Sequence, residues 1–152
     1  MPKIVPASYM PLFERIAGMD GSVFDGVLID EAGLRLSIER ELARLFNTTS
    51  HLTISQYIEA ELSVLDYGLP DFRGLSFDAT DLQTDLAIVI EKAVRTFEPR
   101  MDQPIVKVSS GIEKRSGVIV DIMAFVSVGT QQRRVQFGLA ISSDAALMLT
   151  AS

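Results

Sequence analysis

The sequence predicts an α+β domain, in which N-terminal helices precede a long helix packed on a small antiparallel meander of about three strands. Apolar residues recur at three- and four-residue spacing along residues 80–97, the pattern of a helix with one buried face. Three later segments instead show the two-residue alternation of side chains that is typical of strands: 105–109, 118–128 and 133–141. The helical patterns come first and the strand patterns last.

Composition limits the possible functions. The chain has 152 residues, 47% of them hydrophobic, which is a natural size for one domain and argues against disorder. The net charge of −6 argues against nucleic-acid binding, because that affinity depends largely on clustered Lys and Arg. The sequence contains no cysteine, no apolar run of membrane-spanning length and no export signal. We therefore expect a cytoplasmic protein that neither binds nucleic acid nor inserts into a membrane.

The N-terminal third begins with weakly patterned segments. Residues 1–11 contain three prolines and predict a flexible arm. Residues 12–16 predict a helix too short to be stable alone, which either packs on the core or docks on a neighbouring subunit. Residues 18–33 are rich in Gly and Asp and predict a loop, with a brief extended piece at residues 26–29.

Two helices are predicted ahead of the long one. Ser37 is a plausible N-cap for an apolar stripe that ends at Phe46. Residues 53–65 carry a second stripe, with Thr53 or its neighbour Ser55 near the cap. In the segment that follows, 67–72, Gly and Pro lie between apolar side chains, which predicts a compact loop with buried anchors rather than a flexible linker.

The long helix has recognisable ends. Thr80 followed by Gln83 fits a capping box at its start. Pro99 cannot continue a helix and pushes Glu98 toward an extended conformation, so the helix ends at about Phe97.

Glu98, Pro99 and Arg100 then form a corner at the exit of this helix. The fixed proline ring lowers the entropy lost on docking, and Arg100 offers a planar fork of donors. Glu98 either holds that fork in a hydrogen-bonded pair or meets a cation of a partner. The alternative interpretation is a helix stop with two exposed charges.

The sequence gives little support for catalysis. His51 is the only histidine, and no Cys, Asp or Glu lies at metal-ligand spacing from it. Carboxylates are abundant enough that a glycoside-hydrolase pair must be considered, but most lie on charged helical faces, where they aid solubility. We therefore expect no catalytic residue, no metal and no cofactor.

The predicted meander has open edges. An edge strand with free N–H and C=O groups is a template on which another chain can add a strand. Arg133 and Arg134 would discourage self-pairing near the hairpin while leaving the edge usable by a chosen partner. The alternative is that these arginines only protect the edge from unwanted strand pairing.

Several segments, in this order, carry a resemblance to a known family. They are LFERI at 12–16, SIERELARLFNTTS at 37–50, SVLDYGLPDFRGLS at 63–76, and FEPRM at 97–101 followed by IVKV at 105–108. Together they resemble the GPW-type, lysozyme-like family of contractile-tail baseplate wedge proteins, and within it the TssE group of type VI secretion baseplates. The resemblance covers roughly residues 9 to 141.

The resemblance implies a structural role. Members of the family lie in the baseplate wedge, docked at the inner membrane, where they bind TssF, TssG and TssK and offer strands on which the first sheath ring of TssB and TssC builds. It implies that Glu98, Pro99 and Arg100 contact the bundle of wedge helices, and that Arg100→Ala weakens wedge assembly without disturbing the fold. The sheath contact would lie on strand-edge residues: Val118, Val120, Arg133, Arg134, Val135 and Phe137.

On this interpretation, residues 12–141 form a single wedge domain and residues 142–152 a C-terminal tail. Two other functions stay open at this point. One is a peptidoglycan glycosidase, which would need two carboxylates facing each other in a cleft. The other is a wedge protein of a contractile phage or an extracellular injection particle.

Overall fold

A four-stranded antiparallel sheet with helices packed on one face forms the body of the chain, which confirms the predicted α+β class. The computed structural model describes residues 8–9, 28–111, 117–142 and 145–150. None of the helices in these ranges is long and apolar enough to cross a membrane. The elements are β1 (Ser8–Tyr9), β2 (Leu28–Ile29), α1 (Glu31–Phe46), α2 (Ile54–Glu59), a 3₁₀ turn (Val64–Asp66), α3 (Thr80–Phe97), β3 (Asp102–Ser110), β4 (Gly117–Val128), β5 (Gln131–Ser142) and β6 (Ala145–Thr150).

The strands of the main sheet follow one another in chain order, β3-β4-β5-β6. The predicted hairpin between β4 and β5 is present, with Val128 opposite Gln131 and Gly117 opposite Ser142. β6 extends the predicted meander by a fourth strand and pairs with β5. Much of the segment predicted as a C-terminal tail is therefore part of the sheet.

The two faces of β4 differ in burial. Its helix-facing side chains are at most 2% exposed. On the opposite face, Ile119 and Phe125 remain 37% and 40% exposed. β4 is thus a central strand of the sheet, but the described helices pack on only one of its faces. The buried set is Val118, Val120, Ile122, Ala124, Val126 and Val128.

α3 packs on this face with the stripe that its apolar spacing predicts. It ends at Phe97 as expected, but the predicted capping box is absent. The N-cap is Ala79, which makes no side-chain hydrogen bond. The Gln83 Nε2 instead donates to the Phe77 carbonyl at 2.7 Å and to the Ser110 Oγ at 3.2 Å. Gln83 thus connects the start of the helix to the end of β3, which takes its amide away from a capping role.

α1 begins earlier than its sequence pattern predicts. The N-cap is Asp30, whose Oδ1 accepts the Gly33 backbone N–H at 2.8 Å, and Glu31 adds a negative charge in the first turn. The cap and the negative charge favour a helix start at this point, even though Gly33, a weak helix former, lies in the first turn. The loop predicted over residues 18–33 therefore ends by Asp30, and Ser37 is not an N-cap but a buried residue inside the helix.

α2 has the predicted cap but is shorter than expected. Thr53 and Gln56 form a complete capping box. The helix ends at Glu59 rather than near residue 65, because Ala60 is extended and the Lys92 ammonium binds carbonyls at the end of the helix. The chain then makes the separate 3₁₀ turn.

The described N-terminal residues form one short ladder, in which Ser8 pairs with Ile29 and Tyr9 with Leu28. Of the extended piece predicted at residues 26–29, the part that the structure describes is present as β2 (Leu28–Ile29). The helix predicted at residues 12–16 and the rest of the N-terminal arm lie outside the described residues.

The loop at residues 67–72 is compact, as predicted. Leu69 and Phe72 are 4% and 9% exposed. The Tyr57 hydroxyl donates to the Gly68 carbonyl at 2.8 Å, and burial raises the pKa of Tyr57 above its usual value. Gly68 has φ +112°, a conformation that residues with a Cβ rarely adopt. The loop is therefore fixed by a hydrogen bond, by buried side chains and by one glycine.

We predict that Gly68→Ala lowers the unfolding free energy by about 3 kcal/mol or more, through backbone strain and a clash. A Cβ at this position would lie 2.4 Å from the Thr48 carbonyl oxygen, which belongs to the backbone and cannot rotate away. Gly74→Ala is a matched control, because Gly74 also has positive φ (+78°) but its Cβ would meet nothing within 4 Å. Urea denaturation followed by circular dichroism measures both. Equal losses for the two variants would contradict the role of the clash.

Candidate partner-binding surfaces

The corner formed by residues 98–100 contains a buried ion pair. The Glu98 side chain is 3% exposed and that of Arg100 is 25% exposed. The Arg100 Nε donates to Glu98 Oε1 at 2.7 Å, and Nη2 donates to Oε2 at 2.6 Å. The backbone N–H of Arg100 reaches the same Oε1 at 3.3 Å. The guanidinium fork thus holds both carboxylate oxygens in the two-bond geometry for which arginine is suited.

A third residue, Ser37, joins this pair from α1. The Arg100 Nη1 donates to the Ser37 Oγ at 2.7 Å, and Ser37 is 1% exposed. Sequence reasoning missed this role by assigning Ser37 to the helix cap. A usable signal existed, since Ser37 lies three residues after the buried Leu34 and so shares its side of the helix. The corner therefore connects the end of α3, the start of β3 and the middle of α1.

This geometry decides between the interpretations that the sequence left open for Glu98. Glu98 holds the fork of Arg100. The alternative of a helix stop with two exposed charges is wrong, because the Glu98 carboxylate is buried. Removing one member of a buried pair leaves the other charge uncompensated, which is far more destabilising than losing an exposed pair. The primary effect of the corner is internal: it fixes the direction in which the chain leaves α3.

The outer side of the corner is available to a partner. Pro99 is exposed, and a shallow cavity of about 310 Å³ opens beside it. Gln103 has φ +49°, and the ladder between β3 and β4 shifts register between Asp102 and Ile105. Such strained, irregular backbone is often retained at functional sites. The cavity is lined by Arg95, Pro99, Met101, Asp102, Gln103 and Pro104.

The residues predicted to offer strand edges do not lie on an edge. β4 lies between β3 and β5, and β5 lies between β4 and β6. For β5 the prediction failed because it treated the strand-forming residues 145–150 as tail, and for β4 because the middle strand of a meander has no open edge. Four of the named side chains also face the helices and are at most 5% exposed, namely Val118, Val120, Val135 and Phe137.

The two arginines of the predicted edge are exposed and face different neighbours. The Arg133 Nε lies 3.6 Å from the Glu31 Oε2 at the start of α1. The Arg134 Nη2 donates to the Met123 sulfur at 3.0 Å on the outer face of the sheet. Their contacts therefore belong to the hairpin end of the sheet rather than to its margin.

The margins of the main sheet are β3 and β6. Within the described residues, no strand pairs with the outer side of β3, so its backbone groups there can accept another strand. Ile105 is 55% exposed on this strand, and Lys107 is exposed as well. β3 follows directly from the 98–100 corner, so the two surfaces are continuous along the chain.

Two further described carboxylates, Asp71 and Asp66, lie beside Arg73 and His51. The Arg73 guanidinium lowers the pKa of Asp71 to about 2, the opposite of what a catalytic acid needs. His51 is 65% exposed, with its Nε2 3.6 Å from Asp66 Oδ1. Across the residues that the structure describes, no three His, Asp or Glu side chains converge as a metal site would require.

Comparison with known proteins adds one finding. A family model described as "Baseplate wedge protein gp25" matches residues 32–131, more than half of the chain. The match begins at the start of α1 and ends at the first residue of β5, so it includes Ser37, the 98–100 corner and all of β3 and β4. A search among curated proteins returns no match.

We predict that Arg100→Ala lowers the unfolding free energy by about 3 kcal/mol, because it leaves the Glu98 carboxylate buried without its guanidinium partner. This replaces the expectation, drawn from the sequence, that the substitution leaves the fold intact. Chemical denaturation of the isolated protein measures the loss.

The control is the double variant Glu98→Ala/Arg100→Ala, which removes both charges. Its loss should be smaller than the sum of the two single losses, since no unpaired charge remains. A single Arg100→Ala loss below about 0.5 kcal/mol, typical of an exposed position, would show that the pair does not hold the corner.

Proposed function

The chain belongs to the baseplate wedge protein gp25 family, the structural proteins of contractile-injection baseplates, and on that premise we propose that it connects the wedge of a type VI secretion baseplate to the contractile sheath. In this proposal TssF, TssG and TssK bind on the wedge side, and TssB and TssC on the sheath side. The assembly lies in the cytoplasm, docked at the inner membrane. The protein thereby helps the first sheath ring to form.

The wedge contact is assigned to the outer side of the 98–100 corner. Pro99 is exposed there beside the 310 Å³ cavity, and a fixed proline loses little entropy when a partner docks. The buried Glu98 and Arg100 act indirectly, by holding Pro99 in place. This is the arrangement expected of a rigid binding corner supported from below.

The proposed sheath contact is supported by the position of β3 at the edge of the main sheet. A strand of a sheath subunit can add to this edge by backbone hydrogen bonds. The proposed contact therefore lies on β3 rather than on β4 and β5. The corner and β3 are consecutive in the chain, and α3 packs against β3. Force received on one surface is therefore passed to the other through a short, well-packed path.

We also propose that the protein is not an enzyme. Glu98, the one acidic side chain that is buried among the described residues, is held by Arg100 instead of facing an open cleft. A peptidoglycan glycosidase needs an acid of raised pKa opposite a second carboxylate. A turbidity assay on purified cell wall should show no lysis beyond the buffer control, and lysis by the pure protein would overturn this part of the proposal.

We predict that Ile105→Lys reduces sheath formation on purified wedges by about tenfold, because a charge replaces the exposed apolar side chain against which the side chains of an added strand would pack. Wedge binding should be unchanged, since Ile105 lies outside the 98–100 corner. Leu36→Lys is the matched control, as Leu36 is 45% exposed on α1 and Ile105 55% exposed on β3. Sedimentation and negative-stain microscopy of wedges mixed with TssB and TssC count the sheaths. Unchanged sheath yield with Ile105→Lys would rule out the β3 margin.

A further inference from the structure

Two adjacent side chains on the 3₁₀ turn are far more exposed than any other large apolar side chain whose burial the structure describes, in residues 30–111 and 117–141. Val64 and Leu65 are each 84% exposed, whereas the next value, that of Ile105, is 55%. Singly exposed apolar residues are common on protein surfaces, but a neighbouring pair at this level presents almost its whole apolar area to water. The pair therefore needs an explanation other than packing within the fold.

The turn that carries the pair is held rigidly. The Asp66 Oδ2 accepts the Ser63 backbone N–H at 2.8 Å and the Ser63 hydroxyl at 3.0 Å. The Ser63 Oγ in turn accepts the Leu65 N–H at 3.3 Å, which completes a capping box. The backbone hydrogen bond from Ser63 also lowers the pKa of Asp66, so the carboxylate that closes the box is ionised at neutral pH. Val64 and Leu65 are thus presented in one conformation.

The chain segments before and after the turn both contact α3. Before it, the Lys92 ammonium donates to the carbonyls of Ile58 and Ala60. After it, the Tyr67 ring meets the Phe97 ring edge to face, with centroids 5.2 Å apart. A side chain presented by a segment that is already ordered loses less entropy when a partner binds it.

The surroundings of the pair are acidic. Residues 59–66 contain Glu59, Glu61 and Asp66 and no lysine or arginine. A groove of about 590 Å³ adjoins the turn, and its cations are engaged, Arg95 with Glu91 at 2.9 Å and Lys92 with the carbonyls at the end of α2. The groove also exposes Ile88, at 44%. An apolar pair with carboxylates around it is complementary to an apolar pocket rimmed by basic residues.

We propose that Val64 and Leu65 form a docking knob that inserts into an apolar pocket rimmed by Lys or Arg on another protein of the baseplate. Val64 and Leu65 lie outside both the 98–100 corner and the β3 margin, although Arg95 lines both the groove beside them and the cavity beside the corner. The assignment of the knob to a baseplate partner rests on the proposed function. The acidic surroundings disfavour two other occupants. An anionic membrane would repel them, and so would a second copy of the same surface.

The test compares the full-length chain with its Val64→Ser/Leu65→Ser variant in binding to a purified complex of TssF, TssG and TssK. The variant should bind about tenfold more weakly or worse, since it removes the central apolar anchors of the contact. Its thermal stability should match that of the parent chain, because both side chains are exposed. Leu36→Ser is the control for removing exposed apolar surface and should bind as the parent does. Glu61→Gln should weaken binding and reduce its dependence on salt, if basic residues rim the pocket.

Each outcome separates this proposal from the previous one. If the parent chain binds the complex and Val64→Ser/Leu65→Ser binds equally well, the docking knob is refuted and the proposed function stands. If the parent chain binds none of the baseplate proteins, the proposed function is refuted. The assignment of the docking knob to a baseplate protein is then refuted as well. If analytical ultracentrifugation shows a dimer that the double variant abolishes, the surface belongs to a second copy and the proposal is wrong.

Discussion

The arrangement of this protein depends on one buried ion pair. The Glu98 carboxylate is nearly sealed from water and receives two bonds from the Arg100 guanidinium, which also reaches Ser37 on α1. A charge in such a place is tolerated only while its partner is present. The pair therefore sets the geometry of three elements together, the end of α3, the start of β3 and the middle of α1. α1 and α3 both contribute buried side chains to the core that packs on the sheet.

A connector must hold its binding surfaces at fixed positions relative to each other. Here the exposed Pro99, the β3 margin and the Val64–Leu65 turn are all attached to α3 or to the strand that follows it. α3 contributes buried side chains to the core along most of its length, so it cannot shift without opening that core. Rigidity of this kind is consistent with a structural role in an assembly that must withstand contraction.

The sequence was informative about several local features, although it misplaced the caps of α1 and α3. Pro99 ends α3 as expected, the alternating pattern locates β4 and β5, and the proline-stopped helix points to the corner at residues 98–100. Features that depend on distant partners were missed. Ser37 bonds to Arg100, 63 positions away; its spacing from Leu34 indicates that it faces inward, but does not identify Arg100 as its partner. β6 is defined by pairing with β5, and that pairing removed the edge on which Arg133 had been placed, whereas Val118 lies on β4, between β3 and β5.

The irregular start of β3 has a consequence for any chain that adds to its margin. Gln103 turns the backbone into the left-handed region, and Pro104 has no N–H to donate. Regular pairing from outside can therefore begin only at Ile105. A visiting strand that advances along β3 toward the corner meets a physical stop at that point, which would set its alignment without any side-chain recognition.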